Sequence, residues 1–286
     1  AAAGNHNMIM EGSPGCGKSM IAKRLPFIMP PMSLDEILEK AKLESFEGKE
    51  PTFKAVRTFR SPHHSSTRAS IFGGGTSGAK IGEIAIGSNG VIFFDELPHF
   101  AKNILEAIRE PLEDYKILIS RVNSKIEYKT KFLFVCALNP CPCGNLLSSQ
   151  KECRCNELEI KRYKNRLSEP FLDRIDLHIQ MNDLNENDKN IISSLELNQK
   201  VLNAFVMQKN RGQTDFNGKL KDEDIQKICI LTGELEEILQ TAAQRFGLTY
   251  RGINKIKKIA RTIADLDGAE NISKSHILEA LSYRKR

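Results

Sequence analysis

The segment GSPGCGKS at residues 12–19 restricts the fold of this chain more than any other segment. It fits the pattern G-x-x-x-x-G-K-[ST], a loop between a strand and a helix whose backbone N–H groups surround phosphates. The sequence supplies both neighbours, because the apolar run NMIME precedes the loop and the helical pattern SMIAKRL follows it. It therefore predicts an α/β fold with a phosphate site made of Gly12, Ser13, Pro14, Gly15, Cys16, Gly17, Lys18 and Ser19.

The hydrophobic pattern divides the chain into two parts. Continuous apolar runs, typical of strands buried on both faces of a parallel sheet, recur at residues 90–96, 131–139 and 177–181. From about residue 190 the apolar residues have helical spacing throughout. The polar segment NDLNENDKN separates this part from the part with strand-like apolar runs. We therefore predict an α/β nucleotide-binding core at residues 1–181 with a parallel sheet flanked by helices, and a small all-α lid at residues 191–286.

Carboxylates at a strand end predict the chemistry of the phosphate site. Asp95 and Glu96 follow the run VIFF, at the end of a strand where open α/β sheets bind ligands. In such sites the lysine, here Lys18, neutralises the β- and γ-phosphates of ATP, and a hydroxyl such as that of Ser19 binds Mg²⁺ with Asp95. Glu96 is placed to activate the attacking water. Asn139 ends another strand and could orient that water, although Asn-Pro is also an ordinary turn.

Four of the seven cysteines lie within fifteen residues. Two C-x-C pairs offer enough thiolates for a tetrahedral Zn²⁺ site with no open position, which predicts a structural rather than catalytic metal. The alternative is four reduced thiols in a loop without a metal. A single such cluster favours a cytoplasmic protein, and no apolar run is long enough to predict a membrane span. The predicted zinc ligands are Cys141, Cys143, Cys153 and Cys155.

Basic residues are concentrated in two segments, although the net charge of +6 is mild. Residues 52–88 are glycine-rich, and residues 115–132 alternate like a hairpin around Asn123-Ser124. Basic side chains on two loops suit sequence-independent contact with DNA phosphates, whereas the alternative for the hairpin is an exposed edge kept soluble by lysines. His63 and His64 lie on a polar loop and are left out of the active site. The basic residues are Lys54, Arg57, Arg60, Arg68 and Lys80 in the first segment, and Lys116, Arg121, Lys125, Lys129 and Lys131 in the second.

Longer segments carry a resemblance to a known family. The segments that carry the resemblance are FRSPHHSS, GEIAIGSNGVIFFDELPHF, ALNPCPCG, RLSEPFLDRIDLHI and IARTIADL. The chain resembles AAA+ ATPases of the magnesium-chelatase-like family, and within that family it resembles the bacterial competence proteins. The resemblance implies a helix-2 insert at about residues 52–88 and a pre-sensor-1 hairpin at about residues 115–132. It matches residues 12–19 to Walker A, Asp95 and Glu96 to Walker B, and Asn139 to sensor 1.

The resemblance also implies roles for two arginines. Arg174 in LDRID matches the arginine finger offered to a neighbouring subunit, and Arg251 in TYRGINKI matches the sensor 2 arginine of the lid. A guanidinium group suits the spread charge of a transferring phosphoryl group. From the residues alone, Arg174 could instead pair with Asp173 or Asp176. Arg251, at a helix start, could fold down onto the nucleotide, and Arg245 is the alternative candidate for this role.

The partners implied by the family are a homo-hexameric ring and DNA. The resemblance implies a translocase or branch-migration helicase in natural transformation or recombination, driven by ATP and Mg²⁺. Two alternatives are a magnesium-chelatase-type motor acting on a protein partner and a nucleotide-gated scaffold, and the intact Glu96 argues against the scaffold. Family members normally carry a further N-terminal domain resembling that of Lon protease, so we expect this chain to be part of a longer protein.

Overall fold

The computed structural model describes residues 1–74, 80–121, 124–184, 188 and 192–284, with backbone alone at residues 120, 121, 124 and 125. No helix in these ranges combines the length and apolar character needed to cross a bilayer. The strands are β1 (Met8–Gly12), β2 (Phe59–Arg60), β3 (Gly73–Gly74), β4 (Lys80–Ile81), β5 (Val91–Phe94), β6 (Lys116–Arg121), β7 (Ser124–Lys129), β8 (Leu133–Leu138) and β9 (Leu177–Met181). The helices are α1 (Lys18–Ile28), α2 (Leu34–Phe46), α3 (Arg68–Phe72), α4 (Glu83–Ile86), α5 (Lys102–Ala107), α6 (Arg109–Glu113), α7 (Glu157–Lys164), α8 (Glu169–Leu172), α9 (Ser194–Asn210), α10 (Asp222–Ile228), α11 (Gly233–Phe246), α12 (Tyr250–Leu266) and α13 (Lys274–Ser282).

A parallel sheet of five strands forms the centre of the molecule, in the order β2-β5-β8-β1-β9. The apolar runs predicted four of these strands, and every residue of β8 is buried, as expected for a central strand covered on both faces. The predicted fold class, an α/β core followed by an all-helical region, is confirmed. The fifth strand, β2, lies within the segment predicted as an insert and has only two residues.

Each face of the sheet is covered by a different set of helices. Alternate strand residues such as Met10 and Val135 pack with α1 and with apolar residues of α9 to α13. The opposite face presents Phe94 and Phe134 to α3 to α6 and to Phe171 of α8. Because successive side chains of a strand point to opposite faces, one sheet joins both hydrophobic cores.

The helical region docks on the amino-terminal edge of the sheet, through residues 1–7. The Gly218 amide donates to the Gly4 carbonyl at 2.7 Å, and Lys219 Nζ donates to Asn7 Oδ1 at 3.1 Å. His6 Nε2 lies 2.7 Å from the Thr262 hydroxyl. The phosphate loop begins at Gly12, at the opposite end of β1 from these contacts.

Two hairpins project from the core and pack against each other. The predicted hairpin at residues 115–132 is confirmed as β6 and β7, with Ile119 opposite Ile126, while its tip at residues 122–123 lies outside the described residues. The β3–β4 hairpin contacts it so closely that a Cβ added at Gly73 would lie 2.5 Å from Ile119 Cδ1.

The helix predicted from its capping box is also confirmed, since the Ser33 hydroxyl accepts from the Glu36 amide that follows it in α2.

Candidate functional site

The phosphate loop connects β1 to α1 and folds around a lysine. Gly15 and Gly17 have φ angles of 87° and 88°, a left-handed region that glycine enters without strain. Lys18 is buried, and its Nζ donates to the carbonyls of Gly12 at 2.6 Å and Ser13 at 2.8 Å. These bonds hold the ammonium group against the loop that the N-terminus of α1 completes, an arrangement that binds phosphate.

Three strand ends meet at this loop. The Ser19 hydroxyl donates to Asp95 Oδ2 at 2.6 Å, which joins the start of α1 to the end of β5. Lys18 Nζ donates to Asn139 Oδ1 at 3.2 Å, which brings in the end of β8. The structure therefore places four of the predicted residues together, and the hydroxyl and carboxylate oxygens are ligands that Mg²⁺ prefers.

Glu96 lies beside this group at the end of β5. Its φ angle is 49°, in the left-handed region, and its amide donates to Asp95 Oδ1 at 3.0 Å. The carboxylate is 58% exposed, and its Oε2 lies 3.6 Å from Nε2 of His64. His64 was not predicted at the site, because paired histidines on a polar loop are usually neither ligands nor general bases. In the structure the loop that follows β2 brings it to Glu96.

The four clustered cysteines converge on one point. The Sγ atoms of Cys141, Cys143 and Cys153 lie 3.4 to 3.7 Å apart, and all four lie within 4.8 Å of one another. Four thiolates around Zn²⁺ at 2.3 Å would be separated by about 3.8 Å. Backbone N–H groups, first that of Asn145 and then that of Arg154, lower the pKa of Cys143 to about 6. The donor set and its spacing fit a structural zinc ion.

The cysteine loop packs directly on the phosphate loop. A Cβ added at Gly144, whose φ angle is 82°, would lie 2.6 Å from Pro14 Cδ. Farther along, the Ser148 hydroxyl donates to Asp183 Oδ2 at 2.7 Å, just after β9. The loop is thus held at two places around residues 12–19, a contact that the sequence did not predict.

The two predicted arginines lie together, joined by one carboxylate. Arg174 donates through Nη2 to Glu113 Oε2 at 2.5 Å, and Arg251 donates to Glu113 Oε1 at 2.5 Å. Burial raises the pKa of Glu113, but the hydrogen bonds from both guanidinium groups outweigh it, so the net pKa is lowered. The pairing of Arg174 with Asp176 is not formed, because Asp176 accepts from the Asn7 amide and faces His6.

The arginine cluster lies at the sheet edge opposite the phosphate loop. The Asn7 side chain donates to the Arg174 carbonyl at 3.1 Å, whereas the loop begins at Gly12, roughly 16 Å farther along β1. Residues 1–7 anchor the helical region at this far edge, and Arg251 contacts Glu113 there. The assignment of Arg251 as the sensor 2 arginine stays a prediction. Arg245 lies on α11, with its guanidinium near the Phe246 ring.

Several basic residues predicted to contact DNA have partners within the protein. Arg57 is buried and donates to the carbonyls of Pro30 and Asn89, so it stabilises the core and is not a phosphate ligand. Arg60 pairs with Glu83. Lys116 pairs with Glu127 at 3.0 Å, and Lys131 pairs with Asp215 at 2.5 Å. The side chains of Arg121 and Lys125 lie outside the described residues. Apart from Lys116, the exposed basic residues among the described side chains of the two segments are Lys54, Arg68, Lys80 and Lys129.

Comparison with known proteins finds two family models and several relatives that match the chain. The family model "Magnesium chelatase, subunit ChlI" matches residues 1–189, and the model "Magnesium chelatase, subunit ChlI C-terminal" matches residues 192–284. The chain is 40% identical over 292 residues to the competence protein ComM of Haemophilus influenzae, and 40% identical over 290 residues to the protein YifB of Salmonella typhimurium. YifB of Escherichia coli is 39% identical.

These alignments cover 99% of the chain but 56% of each of the three relatives, so the chain spans little more than half their length. Both family models together cover almost all of it. The matches extend from the phosphate loop to the last helix of the helical region. The chain therefore belongs to the magnesium-chelatase-like family of AAA+ ATPases.

Proposed function

We propose that this protein is an ATP-hydrolysing motor. The observation that carries the proposal is the meeting of Lys18, Ser19, Asp95 and Asn139 at one loop, with the Glu96 carboxylate beside them. A kinase would need an acceptor pocket, whereas an exposed carboxylate next to the phosphate site favours water as the acceptor. The family implies ATP and Mg²⁺ as the bound groups.

Each residue has a distinct task in this reaction. Lys18 neutralises the β- and γ-phosphates as its hydrogen bonds to the loop carbonyls give way to phosphate oxygens. Ser19 and Asp95 would hold Mg²⁺, which supplies positive charge to the phosphates when bound. Glu96 accepts a proton from the attacking water, and Asn139 orients that water.

The motor works as an assembly, because the arginines cannot serve their own site. Arg174 and Arg251 lie at the opposite sheet edge from the phosphate loop, so a nucleotide within their reach belongs to a neighbouring subunit. Their guanidinium groups would stabilise the charge of the transferring phosphoryl group there. We infer a homo-hexameric ring, with the core at residues 1–181 and the helical domain at residues 191–286 supplying one arginine each.

DNA is the substrate on which the motor acts. Support comes from exposed Lys80 and Lys129 on two hairpins that pack together, and from the relative named as a competence protein. Basic side chains on neighbouring hairpins bind phosphates without reading sequence. We propose translocation or branch migration during natural transformation or recombination, with a structural zinc ion holding the cysteine loop against the phosphate loop.

The first test separates nucleotide binding from turnover. Lys18→Ala should weaken ATP binding, because the charge opposite the phosphates is lost. Glu96→Gln should bind ATP like the parent but lose about 10²-fold or more in turnover, because the amide cannot accept the proton. The measurements are binding of a fluorescent ATP analogue and steady-state phosphate release by the purified protein. Glu96→Gln that hydrolyses ATP at the parental rate would refute the proposed mechanism.

A further inference from the structure

The backbone that carries Arg174 is held from two sides of the molecule. Arg174 lies in the short connection between α8 and β9. Lys255 of α12 donates through Nζ to the carbonyl of Asp173 and, at 3.0 Å, to the carbonyl of Ile175. Asn7 donates to the Arg174 carbonyl between them at 3.1 Å. Consecutive carbonyls of the α8–β9 connection are therefore bound both by the edge of the sheet and by the helical region.

We propose that Lys255 is a positioning residue that fixes the backbone of Arg174 for its task in a neighbouring subunit's site. The inference rests on the proposed trans role of Arg174 and adds to it the residue that holds the arginine in place. Lys255 acts through the backbone of Arg174 and does not itself contact the nucleotide.

The backbone contacts matter because the side chain of Arg174 must change partners. In the structure Glu113 holds its guanidinium group at 2.5 Å. In the proposed reaction that group turns to a phosphate of the neighbouring subunit and leaves the carboxylate. The backbone of the α8–β9 connection then determines where the side chain begins, and an error of about 1 Å in the place of a reacting group is costly to turnover.

Lys255 meets the chemical requirements of this task. Its side chain is 17% exposed, so water competes little for the ammonium group. An ammonium group has three N–H donors, which suffice for two carbonyls and for the Asp173 carboxylate. Because one nitrogen binds the carbonyls on both sides of Arg174, it fixes their spacing and with it the orientation of the residue between them.

The spacing along α12 places this lysine beside the second arginine. Arg251 lies one helical turn before Lys255, so both side chains leave the same face of the helix. Both also face the Asp173 carboxylate, Arg251 at 4.0 Å and Lys255 at 3.8 Å. One face of α12 thus supplies one arginine and holds the connection that supplies the other. A movement of the helical region relative to the sheet would therefore displace both guanidinium groups together.

The central experiment measures turnover of the assembled protein at saturating ATP. Lys255→Ala should lower kcat about tenfold or more, since a small misplacement of a reacting group has effects of this size. The KM for ATP should stay within about twofold, because Lys18 and Ser19 are unchanged. Lys255→Arg keeps a charged donor and should retain more turnover than Lys255→Met, which keeps only the length. Lys257→Ala is the matched control and should behave like the parent, because Lys257 lies about 200° around the helix from Lys255.

Mixtures of variants give a readout that a merely structural role does not move. If Lys255 serves the neighbour's site through Arg174, Lys255→Ala mixed with Glu96→Gln should exceed the turnover of either variant alone. In that mixture a site with its own Glu96 meets a neighbour with a correctly held Arg174. Lys255→Ala mixed with Arg174→Ala should show no such gain. The reverse pattern would show that Lys255 acts in the site of its own subunit, and would overturn the proposal.

Hydrogen exchange shows whether the effect is local. Lys255→Ala should speed amide exchange in the α8–β9 connection and leave exchange as in the parent at residues 217–220, which dock on residues 1–7. Faster exchange in both segments would show that Lys255 holds the helical region as a whole, which would overturn the positioning role. If Lys255→Ala does not fold, judged by its thermal midpoint, Lys255→Met decides, because it keeps the apolar stem: parental turnover in this variant refutes the proposal.

The outcomes separate this proposal from the proposed function. Parental kcat in Lys255→Ala, or an equal loss in Lys257→Ala, would overturn the positioning role while an inactive Glu96→Gln left ATP hydrolysis in place. Parental turnover in Glu96→Gln would refute the proposed function itself.

Discussion

Two arginines of this chain illustrate how a partner defines the role of a charged residue. Arg57 is buried and donates to backbone carbonyls, so removing it would leave unpaired acceptors in the core. Arg174 is held by the carboxylate of Glu113, which is 40% exposed and can return to water. The hydrogen bonds of Arg57 are therefore fixed, whereas the ion pair of Arg174 can exchange its partner, although the residue type is the same.

Arg174→Ala should keep ATP affinity and lose about 10³-fold in turnover, as expected for loss of a trans arginine. The proposed role of Arg174 in a neighbouring subunit's site also predicts that the specific activity of the parent rises with protein concentration. Mixing Arg174→Ala with Glu96→Gln should restore partial turnover, since a site with its own Glu96 then meets a neighbour with its own Arg174. Phosphate release across a dilution series measures both effects. Turnover that is independent of concentration in an assembling protein would contradict the trans assignment.

The β6–β7 hairpin presents one polar face and one buried face. Ile117 and Ile119 are buried, whereas Lys116 and Lys129 are exposed on the opposite side. This alternation is what the sequence predicted, but sequence could not indicate that Glu127 neutralises Lys116. Lys129 is therefore the hairpin lysine on which the DNA proposal depends.

Lys129→Ala should weaken binding to any DNA sequence about equally. It should also reduce the slope of log affinity against log salt by about 0.7 to 0.9, the contribution of one phosphate contact. Fluorescence anisotropy with single-stranded and branched DNA measures this, and exposed Lys200→Ala on α9 is the control. An unchanged slope would show that Lys129 of the hairpin does not contact a DNA phosphate. Absence of DNA binding by the assembled parent at low salt would favour the alternative motor that acts on a protein partner.

The cysteine loop links the proposed zinc site to the phosphate loop. Since Gly144 packs on Pro14, loss of zinc should loosen residues 12–19 and weaken ATP binding. We expect about one zinc per chain by elemental analysis, given four thiolate ligands. Chelation or Cys155→Ser should lower ATP affinity, and added Zn²⁺ should restore the chelated parent. A zinc-free protein with full ATP affinity would show that the loop holds its shape as reduced thiols.

At the scale of the whole molecule, the sequence predicted which parts exist but not how they dock. Apolar runs and the phosphate loop predicted the sheet core, and helical spacing predicted the all-α region. The docking edge depends on residues 1–7, where His6 and Asn7 are buried polar groups without any periodic pattern. β2 escaped recognition because two residues are too few for a hydrophobic period. The site residues on strand ends could be predicted, whereas His64 and the partner of the arginines depend on tertiary contacts.

In the proposed assembly, the Glu113 carboxylate would compete with a neighbour's terminal phosphate for the two guanidinium groups. Glu113 faces both guanidinium groups, and Asp173 lies 4.0 Å from Arg251 and 3.8 Å from Lys255. Two carboxylates therefore face three cations, which leaves one positive charge unbalanced. A terminal phosphate arriving with that neighbour can displace the carboxylate, which is already partly hydrated and leaves at small cost. After hydrolysis the displaced carboxylate can reclaim its cations. The contact between subunits would then become stronger when ATP binds and weaker after hydrolysis. ATP would thus stabilise the ring as well as supply its energy.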